Sequence, residues 1–240
     1  MLKTLRLRNL IMAGQVTGDQ LEELLQRRDY EGAFCDLRND ERWMDDMTQS
    51  PVALETICGS PTAVVLLCNN VMSASKFGTI RDFADAALLD SNAMDPLLSI
   101  AGIPTIFYDS LDLRAALFDS SAGRGAVWSS ATALSELAEN SALISWFTST
   151  NKRRSTSISS TDTAVKVAGK SIIMQAQTYS SYSNMSITLG VLGGGSGSGN
   201  HTVTLTYGTI ALDIKAYTDL RMVGISNSGI SVTLYYVDMN

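Results

Sequence analysis

The sequence predicts an α+β protein in two parts: a region of short helical repeats, followed by an antiparallel β-sandwich or jelly-roll-like domain. A pattern with a period of ten residues covers the first part, and short runs with a period of two cover the last. A polar, Ser/Thr-rich stretch lies between them. We therefore divide the chain into an N-terminal helical segment at 1–49, ten-residue helical repeats at 50–148, a linker at 149–163 and a β-sandwich domain at 164–240.

The N-terminal segment is charged and rich in helix-forming residues. The run Leu21-Glu22-Glu23-Leu24-Leu25 follows Asp19, a residue type that accepts hydrogen bonds from the unpaired amides at a helix start. We expect Asp19 to be the N-cap of this helix. The acids between 40 and 46 are expected to form a solvated helix face rather than a metal site.

Two positions define the ten-residue unit, which is counted from residue 40. The first position is Ser, Asn or Asp in nine of eleven units, and only Ile80 and Ile100 depart from this rule. Seven residues after each first position the side chain is always apolar. These residues are Met47, Ile57, Leu67, Phe77, Ala87, Leu97, Phe107, Leu117, Val127, Leu137 and Phe147.

Each unit has the features of a short helix. Ser50 and Ser60 stand where a hydroxyl caps the first turn, and each is followed by a proline at the position where proline loses no hydrogen bond. Ten residues allow about two helical turns and a connection. A helix this short is unstable alone, so we predict that the units stack as a solenoid. Between about 75 and 110 the pattern is less regular, and the sequence of residues 103–108 also fits an extended conformation instead of a helix.

Several of these units share the pattern Ser-x-x-Ala followed by an apolar residue. Three examples are Ser50-Pro51-Val52-Ala53-Leu54, Ser60-Pro61-Thr62-Ala63-Val64 and Ser130-Ala131-Thr132-Ala133-Leu134. The pattern resembles the degenerate Ser/Ala helical repeats of virion structural proteins from tailed bacteriophages. Those proteins include fibre-like, collar and tail-associated components, and they often end in a β-rich domain.

The resemblance implies a non-enzymatic structural component of a virion, made in the host cytoplasm. Its helical part would dock on the particle, and its β domain would be exposed or would oligomerise. Other virion proteins are the implied partners. Short, weak repeats gain stability from burial between subunits, so we also expect a homo-oligomer, a trimer or higher.

The last part of the chain alternates apolar and polar residues in short runs rich in Val, Ile, Thr and Tyr. Such runs, separated by turn residues, are typical of antiparallel strands. We expect the last strand to be paired, because a terminal strand stays ordered only within a sheet. The predicted strands are 171–177, 185–191, 201–207, 209–217, 219–225 and 230–237.

Charge and hydropathy argue against two classes of partner. The net charge of −6 is opposite to the basic surface that nucleic-acid binding needs. No run approaches the apolar length of a membrane span, so no membrane partner is expected. The basic and apolar residues at 1–8 lack the continuous apolar core of a signal peptide.

No residue pattern indicates catalytic chemistry, a cofactor or a metal. Gly169-Lys170-Ser171 ends like a phosphate-binding loop, but Ala164 stands where the loop needs glycine, and a strand is predicted to follow. The three cysteines form no CxxC motif and are expected to be small buried side chains. An enzyme such as a cell-wall hydrolase therefore ranks below the other functions considered.

One loop region has the composition of a recognition surface. Tyr179 and Tyr182 lie in a Ser-rich segment, and tyrosine offers a rigid ring with one polar tip. Asn200 and the single histidine, His201, follow a Gly-rich run at 193–199 that reads as a flexible hairpin loop. These four residues are the candidate recognition residues. The alternative function is a host-surface or carbohydrate-binding adhesin module, with a host glycan as partner.

Overall fold

The computed structural model describes residues 2–158, 167–178, 185–191, 201–205, 208–225 and 232–240. Side chains are described for residues 2–157, 169–172 and 232–240. The contacts divide the chain into two compact units, Met1–Ala133 and Leu134–Asn240. The four sequence ranges given above stay predictions of domain organisation.

Fourteen short helices occupy the described chain between residues 2 and 149. They are α1 (Leu2–Met12), α2 (Gly18–Leu25), α3 (Arg28–Leu37), α4 (Glu41–Thr48), α5 (Pro51–Cys58), α6 (Pro61–Cys68), α7 (Val71–Phe77), α8 (Arg81–Ala87), α9 (Ser91–Leu97), α10 (Ile103–Asp109), α11 (Leu111–Asp119), α12 (Ser121–Ser129), α13 (Ala131–Glu139) and α14 (Ser141–Ser149). The protein is mostly helical, and the boundary between the two units falls inside α13.

The helices from α4 onward begin one residue after the first position of each unit, with the single exception of α10. Every polar first position accepts a hydrogen bond from an amide of the first turn. These residues are Asp40, Ser50, Ser60, Asn70, Asp90, Ser110, Ser120, Ser130 and Asn140. Ile80 and Gly102, which precede α8 and α10, make no such bond. The ten-residue helical repeat is therefore confirmed, and its caps are missing where the sequence pattern is broken.

The apolar seventh positions form the core of the repeats. All eleven, from Met47 to Phe147, are fully buried, with an exposed fraction of 0%. In most units the third or fourth position after the cap is buried as well, as for Ala63 and Val64. Because these positions lie on one face of a helix, each helix buries one side and exposes the other.

In the first unit, three consecutive helices make one turn of the solenoid. A helix therefore contacts the helix three positions later in the chain, as in α4 with α7, α5 with α8 and α6 with α9. Hydrogen bonds and ion pairs follow the same spacing. Asn70 donates to Asn39 at 2.9 Å, 31 residues away, and Arg81 pairs with Asp112 at 2.8 Å. Consecutive helices α5 and α6 meet at a bend of 100°, which turns the chain back over itself within a few helices.

The extended alternative for residues 103–108 is wrong, because they belong to α10. Pro104 lies in the first turn, where it costs no hydrogen bond. Gly102 has a φ of 86°, a left-handed conformation that glycine adopts without steric cost and that lets the helix begin late. Phe107 and Tyr108 are fully buried, and the Tyr108 hydroxyl donates to the Ala133 carbonyl at 2.9 Å. Burial of this face therefore favours the helix over the extended conformation.

The predicted cap at Asp19 is also wrong, because the helix starts two residues earlier. Thr17 is the N-cap of α2, and its hydroxyl accepts from the Gln20 amide at 3.3 Å. The Gln20 side chain accepts in return from the Thr17 amide at 2.9 Å. This reciprocal capping box satisfies two amides at the start of the helix. Asp19 lies in the first turn, where its charge suits the helix dipole.

Within the described residues, the second unit contains six antiparallel strands in one sheet, of order β1-β6-β2-β5-β3-β4. The strands are β1 (Arg153–Ile158), β2 (Val167–Thr178), β3 (Met185–Val191), β4 (His201–Leu205), β5 (Gly208–Ile225) and β6 (Val232–Asp238). The antiparallel strands were predicted, but the described strands do not form the two-sheet sandwich or jelly roll. The last strand is paired as expected, with β1 on one side and β2 on the other.

Two features explain the single sheet. The predicted strands 209–217 and 219–225 are one strand, β5, which pairs with β2 along most of its length and with β3 at its end. One long strand with a neighbour on each side holds the others in a single layer. The sheet also extends into the predicted linker, where β1 pairs with β6. Its Ser and Thr residues suit an edge strand, since threonine favours extended backbone and both are tolerated in water.

Burial at the seventh position predicts that two leucines of the repeats contribute very differently to the free energy of unfolding. We expect Leu67→Ala to lower the free energy of unfolding by about 2–5 kcal/mol, because Leu67 is fully buried and its truncation leaves a cavity. Leu89→Ala is the control, since Leu89 is 89% exposed, and we expect a change within about 0.5 kcal/mol. Urea unfolding followed by far-UV circular dichroism measures both. Equal losses for the two variants would contradict the core assignment.

Candidate interaction surfaces

Of the four candidate recognition residues, His201 lies within the described part of the chain. Tyr179, Tyr182 and Asn200 lie outside the described residues. His201 is the first residue of β4 and pairs in register with Leu189 of β3. Nothing in the described part of the chain brings the four together, so their grouping as a surface stays a prediction.

The strand expected after the Gly-Lys-Ser run is present, and it begins earlier than predicted, so the run itself lies in the strand. Gly169, Lys170 and Ser171 belong to β2, and Ser171 is fully buried. The Lys170 amide donates to the Asn240 side chain at 3.0 Å. A phosphate cradle needs these amides at the start of a helix, and here they belong to a sheet.

The cysteines are free thiols, of which Cys68 is buried and Cys35 and Cys58 are half-buried. Burial raises the pKa of Cys58 to about 11, and the nearby Asp82 carboxylate adds to the rise. Burial likewise raises the pKa of Cys68 to about 12, with a contribution from Asp90. Both thiols are therefore protonated at neutral pH, which makes them weak nucleophiles and weak metal ligands. Among the residues whose positions are described, no three His, Cys, Asp or Glu residues are placed to hold a metal ion.

Glu22 of α2 joins its helix to the start of α6. Its carboxylate accepts from the Ser60 hydroxyl at 2.7 Å and from the Thr62 amide and hydroxyl at 2.9 and 2.5 Å. Gln26 donates a further bond at 3.1 Å. Burial raises the pKa of Glu22, but the bonds from Thr62, Ser60 and Gln26 outweigh it, so the pKa lies below its ordinary value of 4.5. Sequence reasoning missed this contact, because nothing local links Glu22 to residues 38 and 40 positions away.

The outer side of α1 forms an apolar surface beside a cation. Leu2 and Leu5 are 86% and 53% exposed, although both are large apolar residues. Together with Arg6 and Asn9 they line a concavity of about 550 Å³. These four residues recur at helical spacing and so lie on one stripe of α1. We call this stripe the α1 face.

A second concavity, of about 420 Å³, lies between α5 and α8. Pro51, Leu54 and Cys58 give it an apolar lining, and Glu55 and Asp82 place carboxylates beside them. Neither carboxylate takes part in an ion pair with another described residue. We call this concavity the α5–α8 groove. Its lining suits an apolar side chain with a cation next to it.

Comparison with protein-family profiles and with curated proteins found no match to this chain. Among the helices that the structure describes, none is by itself both long and apolar enough to cross a membrane. Only α5 and α6 taken together reach that length and composition, and the two are separated by the 100° bend.

The contact of Glu22 with α6 predicts a pH-dependent contribution to stability. Because the folded pKa lies below 4.5, the ionised carboxylate stabilises the fold above pH 4.5, and this contribution is lost as the pH falls through the lowered pKa. We expect Glu22→Gln to lower the free energy of unfolding at pH 7 by about 1 kcal/mol, as for a weakened helix cap. The difference from the wild type should shrink at acidic pH.

Urea unfolding at a series of pH values measures this difference. Glu23→Gln is the matched control, because Glu23 is the exposed neighbour on the same helix and makes none of these hydrogen bonds. A difference between Glu22→Gln and wild type that stays constant from neutral to acidic pH would contradict the role of the ionised carboxylate.

Proposed function

We propose that the protein is a non-enzymatic structural component of a tailed-phage virion. Its helical part docks on the particle, and its β domain is exposed or oligomerises. The assignment to a virion rests on the resemblance of the Ser-x-x-Ala units to repeats of such proteins. The assignment to a structural role rests on how the described repeats use their polar residues.

The observation that carries the structural role is that every polar first position is used as a helix cap. Ser60, Asn70 and Ser130 accept from amides of their own helices, and each also bonds an earlier turn of the solenoid. Hydroxyl and amide groups that make these bonds serve the scaffold rather than a reaction. The raised pKa of Cys58 and of Cys68 points in the same direction, because it keeps these thiols protonated.

The exposed apolar residues support assembly with other chains. Contiguous exposed apolar patches are typical of surfaces that become buried in an assembly, and Leu2 and Leu5 lie next to each other on the α1 face. This agrees with the expectation of a homo-oligomer and of contacts with other virion proteins.

Quantitative mass spectrometry of gradient-purified phage particles tests the virion assignment. We expect the protein to co-purify with the particles in a fixed ratio to a major capsid or tail protein, because a structural component has a defined copy number. Washing in high salt should leave that ratio unchanged. Recovery only in the soluble fraction, or a ratio that varies between preparations, would contradict the assignment.

The alternative of an adhesin is supported by one sequence feature, the two tyrosines of the segment Tyr179-Ser180-Ser181-Tyr182-Ser183. A glycan array probed with the full-length chain tests it. If the alternative holds, we expect binding that falls at least tenfold in Tyr182→Ala, because aromatic rings at recognition sites carry much of the binding energy. Tyr30→Ala, in the helical part, is the control. Absence of binding at a high micromolar protein concentration would contradict the adhesin and leave the structural role as the one proposed function.

A further inference from the structure

We propose that the α1 face of one copy docks in the α5–α8 groove of a second copy. The inference deepens the proposed homo-oligomerisation, on which it rests, by naming the two surfaces that meet. It begins with the α1 face, where two exposed leucines flank a cation. The helix carries Lys3, Arg6 and Arg8 and no acidic residue.

Arg6 is the cation that remains for a partner. Lys3 pairs with Asp29, and Arg8 pairs with Asp46 at 3.0 Å, so both are held within their own chain. Arg6 takes part in no ion pair with the residues that the structure describes, and it lines the same concavity as Leu2 and Leu5. The α1 face therefore offers apolar side chains next to one available positive charge.

The α5–α8 groove offers the complementary set. Leu54 and Pro51 supply apolar surface, while Glu55 and Asp82 supply two exposed carboxylates. Burying Leu5 against the apolar lining removes exposed apolar area from water on both surfaces. Arg6 then lies next to carboxylates that have no other ion-pair partner in the described chain. Charge complementarity of this kind selects the partner and orients it.

The occupant of the groove comes from another copy, because α1 is fixed in its own chain. Leu7 and Ile11 on its inner side are fully buried, and the pairs of Lys3 with Asp29 and of Arg8 with Asp46 hold the helix in place. The α1 face lies on the opposite stripe and points away from the chain that buries the inner side. It can meet a groove only in a second molecule.

The two surfaces belong to the same chain, so copies can be joined in two ways. The contact forms either twice across a two-fold axis, with each α1 face in the other copy's groove, or once in a head-to-tail arrangement that repeats until the rotation between copies closes a ring. The ring is the arrangement that agrees with the expected assembly of three or more copies.

Charge reversal in the full-length chain tests the inference by sedimentation equilibrium. We expect Arg6→Glu and Glu55→Lys each to weaken self-association at least tenfold, because each places like charges against each other. The double variant Arg6→Glu, Glu55→Lys should recover association, and an equimolar mixture of the two single variants should form contacts between unlike chains. Arg42→Glu is the control, since Arg42 is exposed on α4 and lines neither surface.

The outcomes separate this inference from the proposed function. Arg6 and Glu55 are exposed, so the far-UV circular dichroism spectra of both variants should match that of the wild type. Self-association that persists unchanged in both single variants, or that fails to recover in the double variant, overturns the inference and leaves the structural role standing. A wild-type chain that stays monomeric at high concentration overturns both the inference and the homo-oligomer, and leaves the groove to a different basic and apolar partner.

Discussion

The short length of the helices is the constraint on which the rest of the structure depends. A helix of seven to ten residues does not persist alone in water, because the cost of its first turn is spread over few hydrogen bonds. Each helix of the repeats therefore needs a cap at its start and an apolar contact near its end. The caps at first positions and the fully buried seventh positions supply these two requirements in nearly every unit.

Caps in the solenoid also join one turn to the next. Ser130 accepts from the Ala133 amide at 3.1 Å and donates to the Leu98 carbonyl of the preceding turn at 2.8 Å. Asn70 does the same with its amide group, accepting from Ser73 and donating to Asn39. A hydroxyl or an amide can both accept and donate, whereas an ionised carboxylate only accepts. This explains the use of Ser and Asn where a cap lies against an earlier helix.

In a repeat built in this way, the residues available for function are those on the outer surface, because the caps and the core positions are needed for the fold. Two groups of the described helices are withheld from chemistry: Glu22 accepts hydrogen bonds from the start of α6, and burial raises the pKa of Cys68. The outward positions are not constrained by the core, and there the chain places exposed leucines beside a cation in one region and carboxylates beside an apolar lining in another. Assembly is the activity that these features favour.

The sequence by itself determined the repeat, because a cap and a core contact recur at a fixed spacing and both are local properties of a short helix. It also located most strands, since alternation is local as well. Only the tertiary structure decided which elements meet. The three-helix turn, the contact of Glu22 with α6 and the approach of Gly18 to the backbone of Gly59 join residues that are distant in the chain. The same holds for α10, where burial of Phe107 and Tyr108 overcame an ambiguous local pattern. The single sheet likewise depends on the partners of β5, and strand pairing is set by long-range register rather than by alternation.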